Sequence, residues 1–303
     1  MNSEHSQATA LVPYMPVVTA PPPPTPFDPG NWGEVVGIKT IANTRIPSQG
    51  PDTWRPLPHE TFVTMIEQAF DRHGFIISEP THYRAPSRTN AKIKDQSEFG
   101  RFLSMYGIAH PGLPTVNGIT WEACFLNSYD MSTSARGGLG RRVLICSNGM
   151  FSADHGFRRK HTVGIDRDRE GQFSTVFDLV DKAVSALRPQ AESELHRINV
   201  WQNTECGDLD ARWVILEAAK KGVIGAAATM RVLEHWENPE HTEFKDRNVW
   251  SLENAFTSND RGQSLMTQSD RFGRLNTVLD DRFGIVTEGS GARPFGELVA
   301  ADF

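Results

Sequence analysis

Residues 119–162, ITWEACFLNSYDMSTSARGGLGRRVLICSNGMFSADHGFRRKHT, hold two β-forming runs, Trp121–Tyr129 and Arg141–Met150, on either side of a Ser/Thr/Gly-rich segment. Aromatic and β-branched runs flanking a glycine-bearing turn predict an antiparallel hairpin. The basic cluster Arg158-Arg159-Lys160-His161 follows at once. The expected centre of the molecule is therefore a hairpin in a mixed or antiparallel sheet with a cationic rim.

Working outward, 303 residues are enough to bury a large core, as one domain or as two halves sharing an interface. No apolar run approaches the roughly 20 residues of a membrane span, so no membrane partner is expected. No Lys or Arg precedes Lys39, which argues against a secretory signal. Cys124, Cys146 and Cys206 form no CxxC pair, so neither a disulfide framework nor zinc is expected. Cys124 and Cys146 lie in apolar runs and read as packing residues. The expected compartment is a reducing cytoplasm.

Net charge is −6, yet its distribution is uneven. Between Arg136 and Lys160 stand six basic residues and one acid, Asp154; between Thr81 and Lys94 stand Arg84, Arg88, Lys92 and Lys94 with no acid. Such segregation can create a cationic face on an acidic protein.

Residues 1–30, with Pro21–Pro24, read as a disordered or polyproline arm. Val35–Ile46 predicts a first strand, and Pro47–Pro58 a loop. Phe62, Met65, Ile66, Ala69 and Phe70 form a helical stripe closed by Gly74. Phe75–Ile77 reads as a strand; Phe99–Ile108 fits helix or strand. Val176 to Leu187 carries a second helical stripe, expected to end at Pro189, with a separate helix from Ala191 to Trp201. A helix capped by Asp208 places Leu209, Trp213 and Leu216 on one face. Further helices are expected over Ala226–Trp236, Asn248–Thr257 and Leu275–Phe283. The predicted fold is thus α+β: a sheet region over 31–170, a helical region over 174–285, and a loose tail over 286–303.

The segment Ser132–Gly140 carries Ser132, Thr133, Ser134, Arg136 and three glycines, a composition suited to phosphate contact or to a plain solvated turn. It lacks the Lys-Ser/Thr ending of a P-loop. Trp121, Phe125 and Tyr129 share one strand face and suit core packing or base stacking. His155 and His161, with Asp154 and Asp166, match no zinc spacing, so no metal or other cofactor is expected. Ser128, Asp130 and Asn148 end apolar runs, where turn-capping roles are common. No nucleophile and base are paired by the sequence, and no catalytic residue is assigned.

Residues 126–152 resemble a phage- and plasmid-encoded family called domain of unknown function number 932. Ser128, Asp130 and Ser132 match its Ser-x-Asp-Gly-Ser turn, with Met131 in place of the glycine. Arg142, Val143, Cys146 and Asn148 match an Arg-Val-x-Cys-x-Asn strand with one extra residue. Lys160, His161 and Thr162 match an Arg-His-Thr element, and Trp250, Asn254, Ala255 and Thr257 a later Trp-x-x-x-Asn-Ala-x-Thr element. The resemblance implies an origin in a mobile element, whose genes often serve DNA replication, recombination or evasion of host defence. Phage annealing proteins pair a hairpin sheet with helices, a basic groove and ring assembly; that is analogy at the level of fold.

The resulting expectation is a cytoplasmic single-strand nucleic-acid-binding protein of a phage or plasmid, of an annealing or recombination type, without cofactor and with homo-oligomer formation left open. Its contacts are expected from Arg136, Arg141, Arg142, Arg158, Arg159 and Lys160, extended by Arg88, Lys92 and Lys94. Since Arg141 and Arg142 must point to opposite sides of a regular strand, only one can join the track. A protein that binds a host partner is the alternative, and a metal-dependent hydrolase a third.

Overall fold

The computed structural model describes residues 33–114, 119–143, 149–151, 157–159, 174–259 and 265–285. At its centre β5 (Ile119–Ser128) pairs antiparallel with β6 (Ala135–Val143), Trp121 opposite Arg141 and Leu126 opposite Arg136. The expected hairpin is present with its second strand shifted: it begins at Ala135, and the turn is confined to Tyr129–Ser134. Gly149–Phe151 is a separate strand, β7, which folds back on β6 so that Met150 faces Arg141.

Glycines read as turn residues stand instead within the strand, and packing gives the reason at Gly137. A Cβ there would lie 2.7 Å from Phe125 Cε1 and 3.0 Å from the Cys124 carbonyl oxygen. The ring of Phe125 occupies that space and is itself fixed edge-on against Phe62, Phe70 and Tyr106. A missing side chain on one strand thus makes room for a large one on its neighbour.

The sheet runs β1 (Glu34–Val36), β3 (Thr81–Ala85), β4 (Arg101–Ala109), β5, β6, β7, with β2 (Ile76–Ile77) beside β4 and β8 (Phe157–Arg159) beside β6. Every pairing is antiparallel. The ambiguous stretch near Phe99–Ile108 is strand β4. The expected strand Val35–Ile46 is cut short: after Val36 the extended Gly37 caps a one-turn helix, α1 (Ile38–Ala42), whose Ile41 enters the core.

Alternation along β5 puts Trp121, Ala123 and Phe125 into one core and Cys124 and Leu126 into a second cluster with Tyr83, Leu103 and Met105. Helix α2 (His59–Arg72) covers the first face with all five residues of its stripe buried. Each such large apolar side chain contributes about 1.5–3 kcal/mol. Gly74, at φ 70°, lets the Phe75 N–H reach the Phe70 carbonyl at 3.0 Å and ends the helix.

Helix α3 (Ser174–Gln202) corrects the expected break at Pro189, which lies inside it. Proline cannot donate to the carbonyl four residues back, that of Ser185. Ser185, Arg188 and Pro189 are all exposed, so that carbonyl is free to take water. The uninterrupted helix, about 43 Å long, serves two cores. Val176, Val180, Val184, Leu187 and Ala191 pack in the sheet core; Ile198 and Trp201 pack in the core of the C-terminal helices.

Those helices are α4 (Asp208–Lys220), α5 (Ala226–Glu237), α6 (Val249–Asn259) and α7 (Leu265–Phe283). Asn248 caps α6, accepting the Ser251 N–H at 2.8 Å. Gly207 rather than Asp208 precedes α4 as its cap. Leu209, Trp213 and Leu216 do share a face of α4, but it is the outer one; Ala211, Val214, Ile215 and Ala218 are buried.

Gly137→Ala is expected to cost about 1–3 kcal/mol, because neither the Phe125 ring nor the Cys124 carbonyl has room to retreat. Urea unfolding measures it; stability equal to the parent would mean that the strand pair relaxes around the methyl group.

Candidate functional site

The turn between β5 and β6 is built around Asp130, whose side chain is buried at 1% exposure. Its Oδ1 accepts the Ser132 N–H at 2.8 Å, an Asx-type closure of the turn. Its Oδ2 accepts the Arg88 N–H at 2.7 Å, and its carbonyl accepts the Asn90 side-chain amide at 2.9 Å. Ser128 Oγ donates to the Thr133 carbonyl at 2.8 Å and accepts the Thr133 N–H at 3.1 Å. The capping roles expected of Ser128 and Asp130 are therefore observed; Asn148 lies outside the described residues.

These bonds dock the segment that carries Arg88, Lys92 and Lys94 against the tip of the hairpin. All three residues are exposed. The Lys94 N–H donates to the Gln49 carbonyl at 3.0 Å, and Asp95 accepts from Ser48 N, Ser48 Oγ and Gln49 N at 2.8 Å each. Those donors, led by the Ser48 N–H, hold the Asp95 carboxyl well below the usual carboxylate range. Arg45 joins it at 3.2 Å. Arg101, at the same end of β4, donates from Nε to the Pro86 carbonyl at 2.8 Å. Its pKa is lowered first by burial and then by the nearby positive charge of Arg88, against the pull of Asp130.

Register brings further arginines to this end. Arg136 is the second residue of β6, and its partner on β8 is Arg158. Alternation sets positions 136, 138, 140 and 142 on one side of the strand and 137, 139 and 141 on the other. Arg142 and Arg158 are placed by backbone register alone, as is Arg159, the partner of Ala135. Lys160, His155, His161, Asp154 and Asp166 lie outside the described residues.

Arg141 does not belong to a surface track. Its side chain faces the helices at 2% exposure, paired with Glu194 of α3 and, at 3.1 Å, with Glu253 of α6. Arg197 holds the other Glu194 oxygen at 2.9 Å and lies 3.7 Å from Asp280 of α7. Asp280 also accepts the Trp201 indole N–H at 3.1 Å, and the Arg141 guanidinium lies 5.0 Å from the Trp250 ring. Burial pushes the Glu253 carboxyl up to about 7 against the opposing charge of Arg141. With Glu253 protonated, two guanidinium groups face two carboxylates, and the cluster is neutral. No sequence spacing joins Arg141, Glu194 and Glu253; the only local hints are the Glu194/Arg197 spacing and an acid amid the apolar residues of α6.

The stacking alternative for Trp121, Phe125 and Tyr129 is overturned by burial at 5%, 1% and 1%. Tyr129 stacks on His59 at 3.8 Å between ring centres, and its hydroxyl accepts the His59 backbone N–H at 2.7 Å. Cys124 and Cys206 are free and buried. Burial raises both thiols, that of Cys206 to about 12, which removes the thiolate needed for reactivity. Among the described residues no cluster of three or more His, Cys, Asp or Glu side chains is arranged to hold a metal, and no helix is long and apolar enough to cross a membrane.

Fold and site together define an α+β protein with Arg88, Lys92 and Lys94 exposed near the hairpin turn of its sheet. No protein-family model, curated protein or solved structure matches the chain.

Met131 is the one non-glycine described residue with positive φ, at 61°. That is the left-handed region which glycine occupies without strain. Its side chain is 40% exposed, so little packing is lost on removal. Met131→Gly is expected to gain up to about 1 kcal/mol and Met131→Val to lose about as much. Urea midpoints of the two variants on the same side of the parent would contradict this strain.

Arg141→Ala should cost about 3–5 kcal/mol, because Glu194 and Glu253 lose the cation they share. Glu253→Gln keeps the shape and should remain close to the parent at neutral pH. The folded pKa of Glu253 lies above its unfolded value of 4.5, so its contribution is complete below 4.5 and lost as pH rises through about 7. The Gln variant should therefore fall less in stability between about pH 4.5 and pH 7.5, with little difference in slope above that; urea titrations at several pH values give the comparison, and parallel curves across that window would count against the assignment.

Proposed function

We propose that this protein binds single-stranded nucleic acid along the hairpin-turn end of its sheet, serving annealing or recombination for a phage or plasmid in the bacterial cytoplasm. One observation carries the reading: Asp130 draws the Arg88–Lys94 segment onto the hairpin tip, beside Arg101, Arg136 and the register position of Arg158. Basic segments separated in sequence are thereby gathered at one end of an acidic molecule with net charge −6.

The chemistry is electrostatic capture. Lysine and arginine side chains neutralise phosphates and release counterions, which gives affinity without reading base edges. The buried hairpin aromatics supply no stacking platform, so little base preference follows. Acidic surface elsewhere repels the strand and favours approach by the cationic end.

Fluorescence anisotropy of a labelled single-stranded oligonucleotide, titrated at several salt concentrations, tests the proposal. Replacing Arg88, Lys92 and Lys94 together by Ala should weaken binding at low salt and reduce the salt slope by about two, at roughly 0.7 per lost phosphate contact. Replacing Arg158, Arg159 and Lys160 together should act in the same direction. Melting of the first variant should be unchanged, since its three lost charges are exposed. Unaltered affinity and slope in both triple variants would favour a protein partner instead.

A further inference from the structure

The outer face of α4 is apolar where a solvent-facing helix is ordinarily polar. Leu209, Trp213 and Leu216 are 80%, 43% and 64% exposed, while the opposite face is buried in the core of the C-terminal helices. With Lys220, 78% exposed at its side chain, these residues recur at steps of four, three and four. That is the spacing of a two-stranded coiled-coil seam. Trp213 is held in place by the Arg282 guanidinium, 4.9 Å from its ring, which in turn donates to Asp210 at 3.2 Å.

We infer that α4 is a self-association surface, on which a second copy of the chain packs its own α4 in parallel about a two-fold axis. Flanking charge selects both occupant and direction. Arg212 and Glu217 border the seam five residues apart, on its two sides. In a parallel pair, Arg212 of one copy faces the partner's Glu217, and symmetry makes the contact twice. An antiparallel pair would instead set Asp210 of one copy against the partner's Glu217, like against like. Arg212 now contacts Glu237 at 3.2 Å with both side chains about half exposed, a surface pair weak enough to exchange. Glu217 contacts Lys220 at 3.4 Å on its own helix.

A seam on one 13-residue helix offers less than the roughly 800 Å² per partner of a stable interface. The pair is therefore expected to be reversible. This inference stands independently of nucleic-acid binding.

Sedimentation equilibrium of the full chain over a range of concentrations tests it, with circular dichroism to verify folding. The parent should show a monomer–dimer equilibrium, weakened about tenfold or more by Leu216→Glu. Arg212→Glu should weaken it, Glu217→Arg should weaken it, and the two together should restore it. A parent that stays monomeric at its highest soluble concentration overturns the inference, whether or not it captures some other protein. So does a dimer indifferent to Leu216→Glu. Strengthening by Glu217→Arg alone would reveal the antiparallel pair and overturn the proposed geometry.

Discussion

The guanidinium of Arg141 ties the central strand to two helices. It leaves the central strand β6, meets Glu194 on the long helix and Glu253 on the buried helix α6, and lies against Trp250. A charge taken out of water must be matched by partners of good geometry or it destabilises the fold. That requirement fixes the rotation of α3 about its axis and the depth of α6 at once. It also explains an acid, Glu253, on a helix whose residues Val249 to Thr257 are all buried. Hydrophobic burial supplies most of the driving force, but it is non-directional. The buried ions specify which packing arrangement is reached.

Neighbouring arginines show how much of this could be read in advance. Alternation demanded that Arg141 and Arg142 part ways, yet the direction of each depended on which side of the sheet the helices would cover. That choice is made by residues far away in sequence. The stripe of α2 was legible because its apolar spacing and closing glycine are local. The turn was misplaced because glycine signals either a turn or a close approach, and at Gly137 the approach of Phe125 decided. Pro189 misled in a similar way: the penalty for proline in a helix depends on whether the freed carbonyl meets water, and on α3 it does.

The site was legible as a set of charges and not as a surface. The basic segments at 84–94 and 136–160 stand out in composition, but the docking of the Arg88–Asn90 backbone on the hairpin tip involves a buried aspartate. Asp130 binds the backbone of Arg88 and Ser132 rather than any basic side chain. Such a carboxylate looks like an ordinary turn residue until the second segment is seen on it. The exposed face of α4 was hidden for a related reason. Leu209, Trp213 and Leu216 repeat as a core stripe would, whereas the true core stripe of Ala211, Val214, Ile215 and Ala218 is smaller and less conspicuous.

On the two proposals, the placement of these features would give the two surfaces separate work. Ile119 and Arg141, at one end of the central strand pair, meet the C-terminal helices, while the turn stands at the other end. Helix α4 packs among those C-terminal helices, so a pair joined through it would leave both cationic ends uncovered. On the two proposals together, two weak phosphate tracks held on one particle would convert the second contact with a long strand into an intramolecular step, whose gain would depend on the effective concentration set by the span between them. Neither surface needs to be strong by itself. The acidic remainder of each copy would disfavour wrapping of the strand around the body and keep contact at the two ends. On the proposed reading, buried Arg141 would maintain the frame while exposed Arg88, Lys92 and Lys94 would make the contacts.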